Sequence, residues 1–193
     1  RDIDRDYDEF NRARRAFFRD TGIEVKPAST GVGGAPVGAA HDFSMALCAV
    51  RSDPAPAVGV MSTPTLNEAW AYGSDFSRGL RVTDANQTTL YVSGTASINE
   101  RGETVHVGDP RRQAERMLEN IETLLAGQGA GFSDLVSVVT YVKNPADAGV
   151  VETVFAERAF EGFPNALVEA PLCRPELLCE AEAVAVVPHE RRV

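Results

Sequence analysis

The sequence predicts an α+β fold, in which two helices pack on one face of a mixed β-sheet and a further helix precedes them. Short runs rich in β-branched residues alternate with two longer segments of helical periodicity, in the order strand–strand–helix–strand–helix–strand–strand. Of the 193 residues, 44% are hydrophobic, which is sufficient for one core. We expect residues 1–22 to form the preceding helix and residues 23–193 to form the α+β domain.

The N-terminal helix is indicated by five side chains at helical spacing. These are Ile3, Tyr7, Phe10, Arg14 and Phe17, and the other face carries Asp and Arg. The helix should span about five turns and end near Gly22. Because its aromatic stripe has to be covered, we expect it to pack on the sheet or helices of the same domain.

The segment between residues 23 and 62 predicts a strand at 23–26 and a hairpin of strands 42–50 and 57–62 around a turn at 53–56. A glycine-containing loop, PASTGVGGAP, lies at 27–36. It has neither the Lys-Ser/Thr of a P-loop nor the GxGxxG spacing, so we interpret it as a tight loop near a pocket.

The first half of the main sheet is predicted from residues 79 to 107. Strands at 79–82 and 90–93 flank a turn at 84–86, and a short strand at 103–107 should form a further hairpin around the turn at 99–102.

Both main helices have start signals. Asp109 and Pro110 begin a helix that should run to about Ala126, and Asn144-Pro145 begins a second that should end near Glu161. Between them, residues 134–142 are almost continuously apolar, as in a central strand buried on both faces. Two more strands are predicted at 166–170 and 178–187.

Composition excludes several classes of function. The formal net charge of −9 disfavours a nucleic-acid partner, because the phosphates would be repelled. No apolar run is long enough to span a bilayer, and no signal peptide is visible. The three cysteines cannot all pair, and neither they nor the three histidines follow a metal-binding spacing. We therefore expect a cytoplasmic protein without metal or cofactor.

Two groups of residues carry a family resemblance. Ser93-Gly94-Thr95 ends one strand and Gly108-Asp109…Gln113 starts a helix, while the last strand reads Glu180-Ala181-Glu182-Ala183. From about Tyr72 to Val187 the chain resembles the Rid family, also called YjgF/UK114 or endoribonuclease L-PSP-like. It is most similar to the branch represented by the C-terminal domain of chorismatases, which also contain a Cys-Arg…Leu-Leu…Glu arrangement, here within residues 173–180. The resemblance implies a Rid-like fold, a homotrimer with pockets between subunits, and a role in secondary metabolism.

Glu180 is the main catalytic candidate. Glu180 and Glu182 share one strand face, which by itself is typical of a solvated surface. The spacing from Cys173 to Glu180 favours a site, in which a protonated Glu180 would act as a general acid. No histidine base adjoins Cys173 in the sequence, so a nucleophilic role is not supported. The resemblance implies instead that Cys173 shapes the route taken by an intermediate. Cys48 and Cys179 are expected in the core.

Substrate-binding candidates come from the same comparison. Arg174 and Arg78 suit a carboxylate, because the guanidinium forms two parallel hydrogen bonds. Phe76 stands where Rid proteins have a tyrosine, near Tyr72. The strand end at Ser93, Gly94 and Thr95 completes the set.

The chain departs from its relatives at two positions. Residues 63–68 lack the arginine of an Asn-Pro-Arg-Gln-like segment found in chorismatases. Counting back from Glu180 places Asn165 where Rid deaminases have the arginine that binds the substrate carboxylate. Asparagine cannot form that charged contact.

Three functions remain open at this point. The resemblance favours a chorismatase-like hydrolase that releases pyruvate from chorismate or a related small carboxylate. A Rid-type enamine or imine hydrolase would use Glu180 and the backbone at 93–95. The third possibility is a non-catalytic small-ligand-binding protein of a biosynthetic pathway.

Overall fold

The computed structural model describes residues 3–35, 41 and 43–189. Within these residues, six strands form one sheet in the order β1-β2-β3-β6-β4-β5. The strands are β1 Ala57–Met61, β2 Gly79–Thr83, β3 Gln87–Ala96, β4 Leu135–Val142, β5 Asn165–Glu169 and β6 Cys179–Pro188. The helices are α1 Ile3–Thr21, α2 Pro110–Ala126 and α3 Ala148–Glu157. Neighbouring strands are antiparallel except for the parallel pair β4 and β5. The sheet is therefore mixed and the α+β class is confirmed.

The core lies between the sheet and the helices α2 and α3. On β6, Cys179, Ala181, Ala183 and Ala185 face this core and are almost fully buried. Because the three alanines at alternate positions have small side chains, α2 can pack closely on the strand. Leu118, Ile121 and Leu125 are among the α2 side chains in the same cluster. The prediction that Cys179 belongs to the core is confirmed.

The α2 helix also fixes the segment that leads into β6. Asp109 caps the helix by accepting a hydrogen bond from the Arg112 amide at 3.0 Å. The buried side chain of Gln113 donates to the Glu176 carbonyl at 2.9 Å and accepts from the Leu178 amide at 2.9 Å. The Gly-Asp…Gln motif thus positions Leu178, which directly precedes β6 and lies two residues before Glu180.

The opposite face of the sheet carries apolar side chains near both edges. Register and strand alternation place Val58 and Val60 of β1 and Val168 of β5 on this face. Each of the three is more than 40% exposed. We call this surface, defined by these valines, the open sheet face.

The α1 helix packs on the same domain. Arg15 pairs with Asp75 at 2.8 Å and donates to the Gly73 carbonyl at 2.7 Å. Phe18 is buried, whereas Phe17 is 58% exposed. Inclusion of Phe17 in the covered stripe was therefore wrong, because the helix turns Phe18 and Asn11 inward instead.

Several predicted strands are absent from the described residues. Residues 23–26 form no strand, since the Ile23 amide closes the end of α1 on the Phe18 carbonyl. Residues 43–50 are also irregular, β1 pairs with β2, and Asp42 lies outside the described residues. Cys48 is correspondingly exposed rather than in the core.

The predicted strand at 103–107 is reduced to an isolated bridge between Ile98 and Thr104. The Asn99 side chain accepts from the amides of Arg101 and Glu103, and His106 and Gly108 adopt left-handed conformations. Because turns form around Asn99 and at residues 106–108, no regular strand forms between them.

Two boundaries in the second half also differ from expectation. In β4, Val136 and Ser137 are exposed, so this strand is not buried on both faces and lies one strand from the sheet edge. The α3 helix ends at Glu157, after a short 3₁₀ turn at Pro145–Asp147. It stops there because Ala159 takes a left-handed conformation, which returns Phe160 to the core among other phenylalanine rings.

None of the helices within the described ranges is long and apolar enough to cross a membrane.

Candidate active site

A cavity of about 300 Å³ lies between α1 and the adjoining ends of β3 and β6. Its wall is built from α1, the 29–31 loop, the segment before β2, the end of β3 and the segment before β6. The prediction that the glycine-containing loop lies near a pocket is confirmed, because Ser29 and Gly31 line this cavity. Several chain segments far apart in sequence therefore meet here.

Glu180 lies at the buried end of this cavity. Only 4% of the residue is exposed. The pKa of the Glu180 carboxyl is raised to about 7, chiefly by burial and also by the negative charge of Glu182. Arg78 and Arg174 act in the opposite direction but do not outweigh burial. Near neutral pH a large fraction of Glu180 is therefore protonated and able to donate a proton.

Gly94 makes room for this carboxyl. A Cβ atom at position 94 would overlap Oε1 of Glu180 and lie 2.8 Å from Cγ2 of Thr30. The strand end at 93–95 therefore requires glycine at its centre, because the side chains of Glu180 and Thr30 approach its backbone so closely.

Both predicted arginines, Arg78 and Arg174, face the cavity. Arg78 is 4% exposed and donates to the backbone carbonyl of Asn67 at 2.8 Å and to its side-chain oxygen at 3.2 Å. Arg174 donates to the Gly102 carbonyl at 2.7 Å. These contacts hold the guanidinium groups in place, so both can present fixed positive charge to a ligand.

Asn67 occupies the segment that lacks the arginine of the chorismatase pattern. Its two contacts orient Arg78, so residues 63–68 keep a part in building the cavity. Beside it, burial raises the pKa of Glu68, against the opposing charge of Arg78.

A third arginine was missed by the sequence analysis as a site residue. Arg14 of α1 lines the cavity, donates to Asn11 at 2.7 Å and to Ser29 at 3.1 Å, and lies 4.8 Å from the ring centre of Phe10. The signal was present, because Arg14 is the charged member of an otherwise apolar helical stripe. Phe10 and Asn11, about one helical turn before Arg14, and Tyr7, about two turns before it, line the same wall.

Cys173 and Phe76 are also in the wall. Cys173 is half-buried and packs against the core cluster. Phe76 is buried, and the guanidinium carbons of Arg14 and Arg78 lie 5.7 and 5.6 Å from its ring centre. Among the described residues that line the cavity there is no histidine, so Cys173 has no imidazole base there.

Ser93 and Thr95 do not line the cavity. The Ser93 hydroxyl donates to the Ser77 carbonyl at 2.5 Å and accepts from the Ser29 amide at 2.9 Å, while Thr95 donates to the Ser93 carbonyl at 2.8 Å. The Gly94 amide donates to the Thr30 hydroxyl at 2.9 Å. These groups shape the strand end and connect it to the 29–31 loop.

Asn165 and Tyr72 are the remaining sequence candidates. Asn165 is exposed at the start of β5, accepts from the Thr140 hydroxyl at 3.0 Å and is separate from the cavity. Tyr72 ends a short 3₁₀ helix, Ala69–Tyr72, and its side chain lies outside the described part of the chain.

The sheet order, the helix packing and the buried glutamate at the start of β6 define a Rid-type domain. The chain belongs to the family described as Endoribonuclease L-PSP, whose model matches residues 70–187. The resemblance seen in the sequence is thereby confirmed.

Two curated relatives illustrate the range of this family. The chain is 32% identical over 99 residues to the 3-aminoacrylate deaminase RutC of Acinetobacter baylyi, covering 51% of this chain and 79% of RutC. It is 29% identical over 198 residues to a chorismatase of Streptomyces rapamycinicus, covering 92% of this chain and 57% of the chorismatase.

Solved structures share the fold. A chorismatase crystal structure superposes with a TM-score of 0.73 at 22% identity, covering 93% of this chain and 57% of the chorismatase. A putative endoribonuclease L-PSP from Entamoeba histolytica gives 0.58 at 20% identity, covering 68% of this chain and 100% of its own. The likeness to the chorismatase thus extends to nearly all of the chain, while the chain spans little more than half of a chorismatase.

Proposed function

We propose that this chain is a chorismatase-like enzyme that hydrolyses the enolpyruvyl ether of chorismate, or of a related small carboxylate, and releases pyruvate. The observation that carries the proposal is a buried, partly protonated Glu180 in a cavity lined by Arg14, Arg78 and Arg174. Likeness to a chorismatase over 92% of this chain supports it.

The arginines match the charge of such a substrate. Chorismate carries two carboxylates, each of which a guanidinium can bind through two hydrogen bonds. Arg14 on one wall and Arg78 and Arg174 on the others would bind these carboxylates, and Phe10 and Phe76 would contact the ring. Fixing the substrate at both carboxylates would hold the enol ether in one position relative to Glu180.

The proposed reaction begins with transfer of a proton from Glu180 to the methylene carbon of the enolpyruvyl group. This leaves an oxocarbenium centre on the substrate and a carboxylate on Glu180. Water adds to that centre and returns one proton to Glu180. Collapse of the hemiketal then releases pyruvate and the ring alcohol, a dihydroxy-cyclohexadiene carboxylate. Alternatively, a neighbouring ring hydroxyl attacks the ring carbon that bears the ether oxygen, the bond between that carbon and the ether oxygen breaks, and pyruvate leaves with the electron pair. The hydroxyl proton returns to Glu180, and the ring epoxide rearranges to a hydroxybenzoate. We propose that Cys173 influences this choice.

A Rid-type enamine or imine hydrolase is the second candidate, because the family includes a 3-aminoacrylate deaminase. Two features disfavour it. Asn165 is exposed and separate from the cavity, and the Gly94 amide is already bonded to Thr30. A non-catalytic ligand-binding protein would use the same cavity without turnover.

A substrate panel tests these functions together. Purified protein is incubated with chorismate or with the enamine formed from serine dehydration, and pyruvate and ammonia are measured. We expect pyruvate from chorismate without ammonia. Release of ammonia from the enamine faster than in buffer without protein, with no pyruvate from chorismate, would establish the hydrolase instead. Binding of chorismate without product would establish the ligand-binding protein.

We further propose that the protein is a cytoplasmic homotrimer of secondary metabolism that associates through the open sheet face. The exposed valines of β1 and β5 support this assembly, since large apolar surfaces commonly mark protein interfaces.

A further inference from the structure

A second carboxylate lies on the same face of β6 as Glu180. Glu182 is two residues further along the strand, so both side chains project away from α2. On the adjacent strand β4, Tyr141 is paired with Glu180 in register, and Val139 with Glu182. The Tyr141 hydroxyl donates to Oε1 of Glu182 at 3.2 Å.

The charged and titratable groups around Glu180 come from every element packed against it. Glu182 and Tyr141 belong to the sheet, Arg78 precedes β2, and Cys173 and Arg174 precede β6. From α1 the cavity receives Tyr7, Asp8 and Arg14. Cys179 adjoins Glu180 in the chain but faces the core. The positive charges of Arg78 and Arg174 favour the carboxylate form of Glu180, which has no proton to donate, whereas the negative charge of Glu182 favours the neutral acid.

We propose that Glu182, held in place by Tyr141, is a positioning residue that keeps the transferable proton on Glu180 at neutral pH. This rests on the proposed role of Glu180 as the general acid. Burial disfavours the charged form of Glu180, and Arg78 and Arg174 offset part of that effect. The negative charge of Glu182 favours the protonated form of Glu180, and Glu182 is not among the residues that line the cavity. Tyr141 contributes by holding the Glu182 carboxylate on this face, so that it does not turn towards solvent.

The pair also gives a role to both of the glutamates at alternate positions of β6. Glu180 and Glu182 lie two residues apart on one face of β6, so the negative charge of Glu182 acts on the carboxyl of Glu180. Glu180 is the more buried, since Glu182 is only partly covered.

Glutamate side chains labelled with ¹³C at the carboxyl allow a direct test in the ligand-free full chain. The Glu180 resonance is identified by its loss in Glu180→Gln, and its chemical shift is followed from pH 4 to 9. We expect a midpoint near 7 in the wild type. Glu182→Gln keeps the shape and should lower the midpoint by about one, a tenfold change in the proton equilibrium. Tyr141→Phe should lower it by less, and Glu152→Gln, an exposed glutamate on α3, should leave it unchanged.

A structural role for Glu182 would alter the melting temperature but not the Glu180 midpoint. A midpoint that stays in place in both Glu182→Gln and Tyr141→Phe, or rises, would overturn the proposal. If Glu182→Gln fails to fold, the decrease in Tyr141→Phe decides the question by itself. The alkaline limb of kcat/KM with chorismate should move with the midpoint. Because the titration needs no substrate, a protein without turnover but with the expected midpoints would refute the proposed function and leave this inference standing.

Discussion

At the scale of single residues, the cavity combines a carboxylic acid, three arginine side chains and a cysteine thiol. In the proposed reaction Glu180 supplies the proton, and Arg14, Arg78 and Arg174 in the cavity wall supply positive charge. The Cys173 thiol lies in the wall without a histidine among the described lining residues, so its proposed role is in the fate of an intermediate.

Cys173→Ala tests that role. The substitution removes the sulfur atom but no proton donor, so we expect the ratio of dihydroxy-cyclohexadiene to hydroxybenzoate products to change more than the rate of pyruvate release. Chromatography of the ring products measures the ratio. An unchanged ratio would show that Cys173 acts only as a packing residue.

Arg14→Gln tests the contribution of α1 to binding. A charge-assisted hydrogen bond contributes about 1.5–3 kcal/mol, so chorismate affinity should fall by roughly 10- to 100-fold. Calorimetric titration measures the affinity, and Arg12→Gln, whose side chain is 77% exposed, is the matched control. Equal affinities for the two variants would remove Arg14 from the site.

At the scale of elements, α1 packs on the domain and also lines the cavity. Its stripe was predicted from periodicity, but its exact rotation was not, because Phe17 and Phe18 are adjacent and equally apolar. Tertiary contacts such as Arg15 with Asp75 decide which ring is buried.

A pair of phenylalanine variants separates these positions. Phe18 is 6% exposed and Phe17 is 58% exposed. Phe18→Ala should lower the free energy of unfolding by about 3 kcal/mol. Phe17→Ala should change it by less than about 0.5 kcal/mol. Urea denaturation measures both, and similar losses would contradict the packing of α1.

The elements that sequence reasoning found are those with strong periodicity or caps. The α2 helix has Asp109, Pro110 and a complete apolar stripe, and it begins and ends as predicted. Residues 43–50 and 103–107 have alternating apolar residues but do not form strands. Strand formation also requires a neighbouring strand in the fold, which the alternation of residues does not reveal.

The candidate site was predictable only in part for the same reason. Glu180, Cys173, Arg174, Arg78, Phe76 and Gly94 were found through motif spacing and do meet at one cavity. Arg14 was not found, because its contribution depends on how α1 docks. Ser93 and Thr95 use their side chains for local hydrogen bonds, which strand spacing alone does not reveal.

At the scale of the whole molecule, the open sheet face lacks a cover within the described residues. If it mediates assembly, light scattering at micromolar concentration should give three times the monomer mass. Val168→Lys should dissociate the trimer by placing a charge in the interface, whereas Val107→Lys, on an exposed loop, should not. A monomer mass for the wild type would contradict the proposed trimer.

The most direct test of the account is pyruvate release from chorismate by the wild type and by Glu180→Gln. Glutamine keeps the shape of the side chain but removes the transferable proton, so the rate should fall at least about 100-fold. Affinity for chorismate, measured by calorimetry, should change little, because the arginines bind its carboxylates. No pyruvate from the wild type, or release by Glu180→Gln at the wild-type rate, would contradict the account.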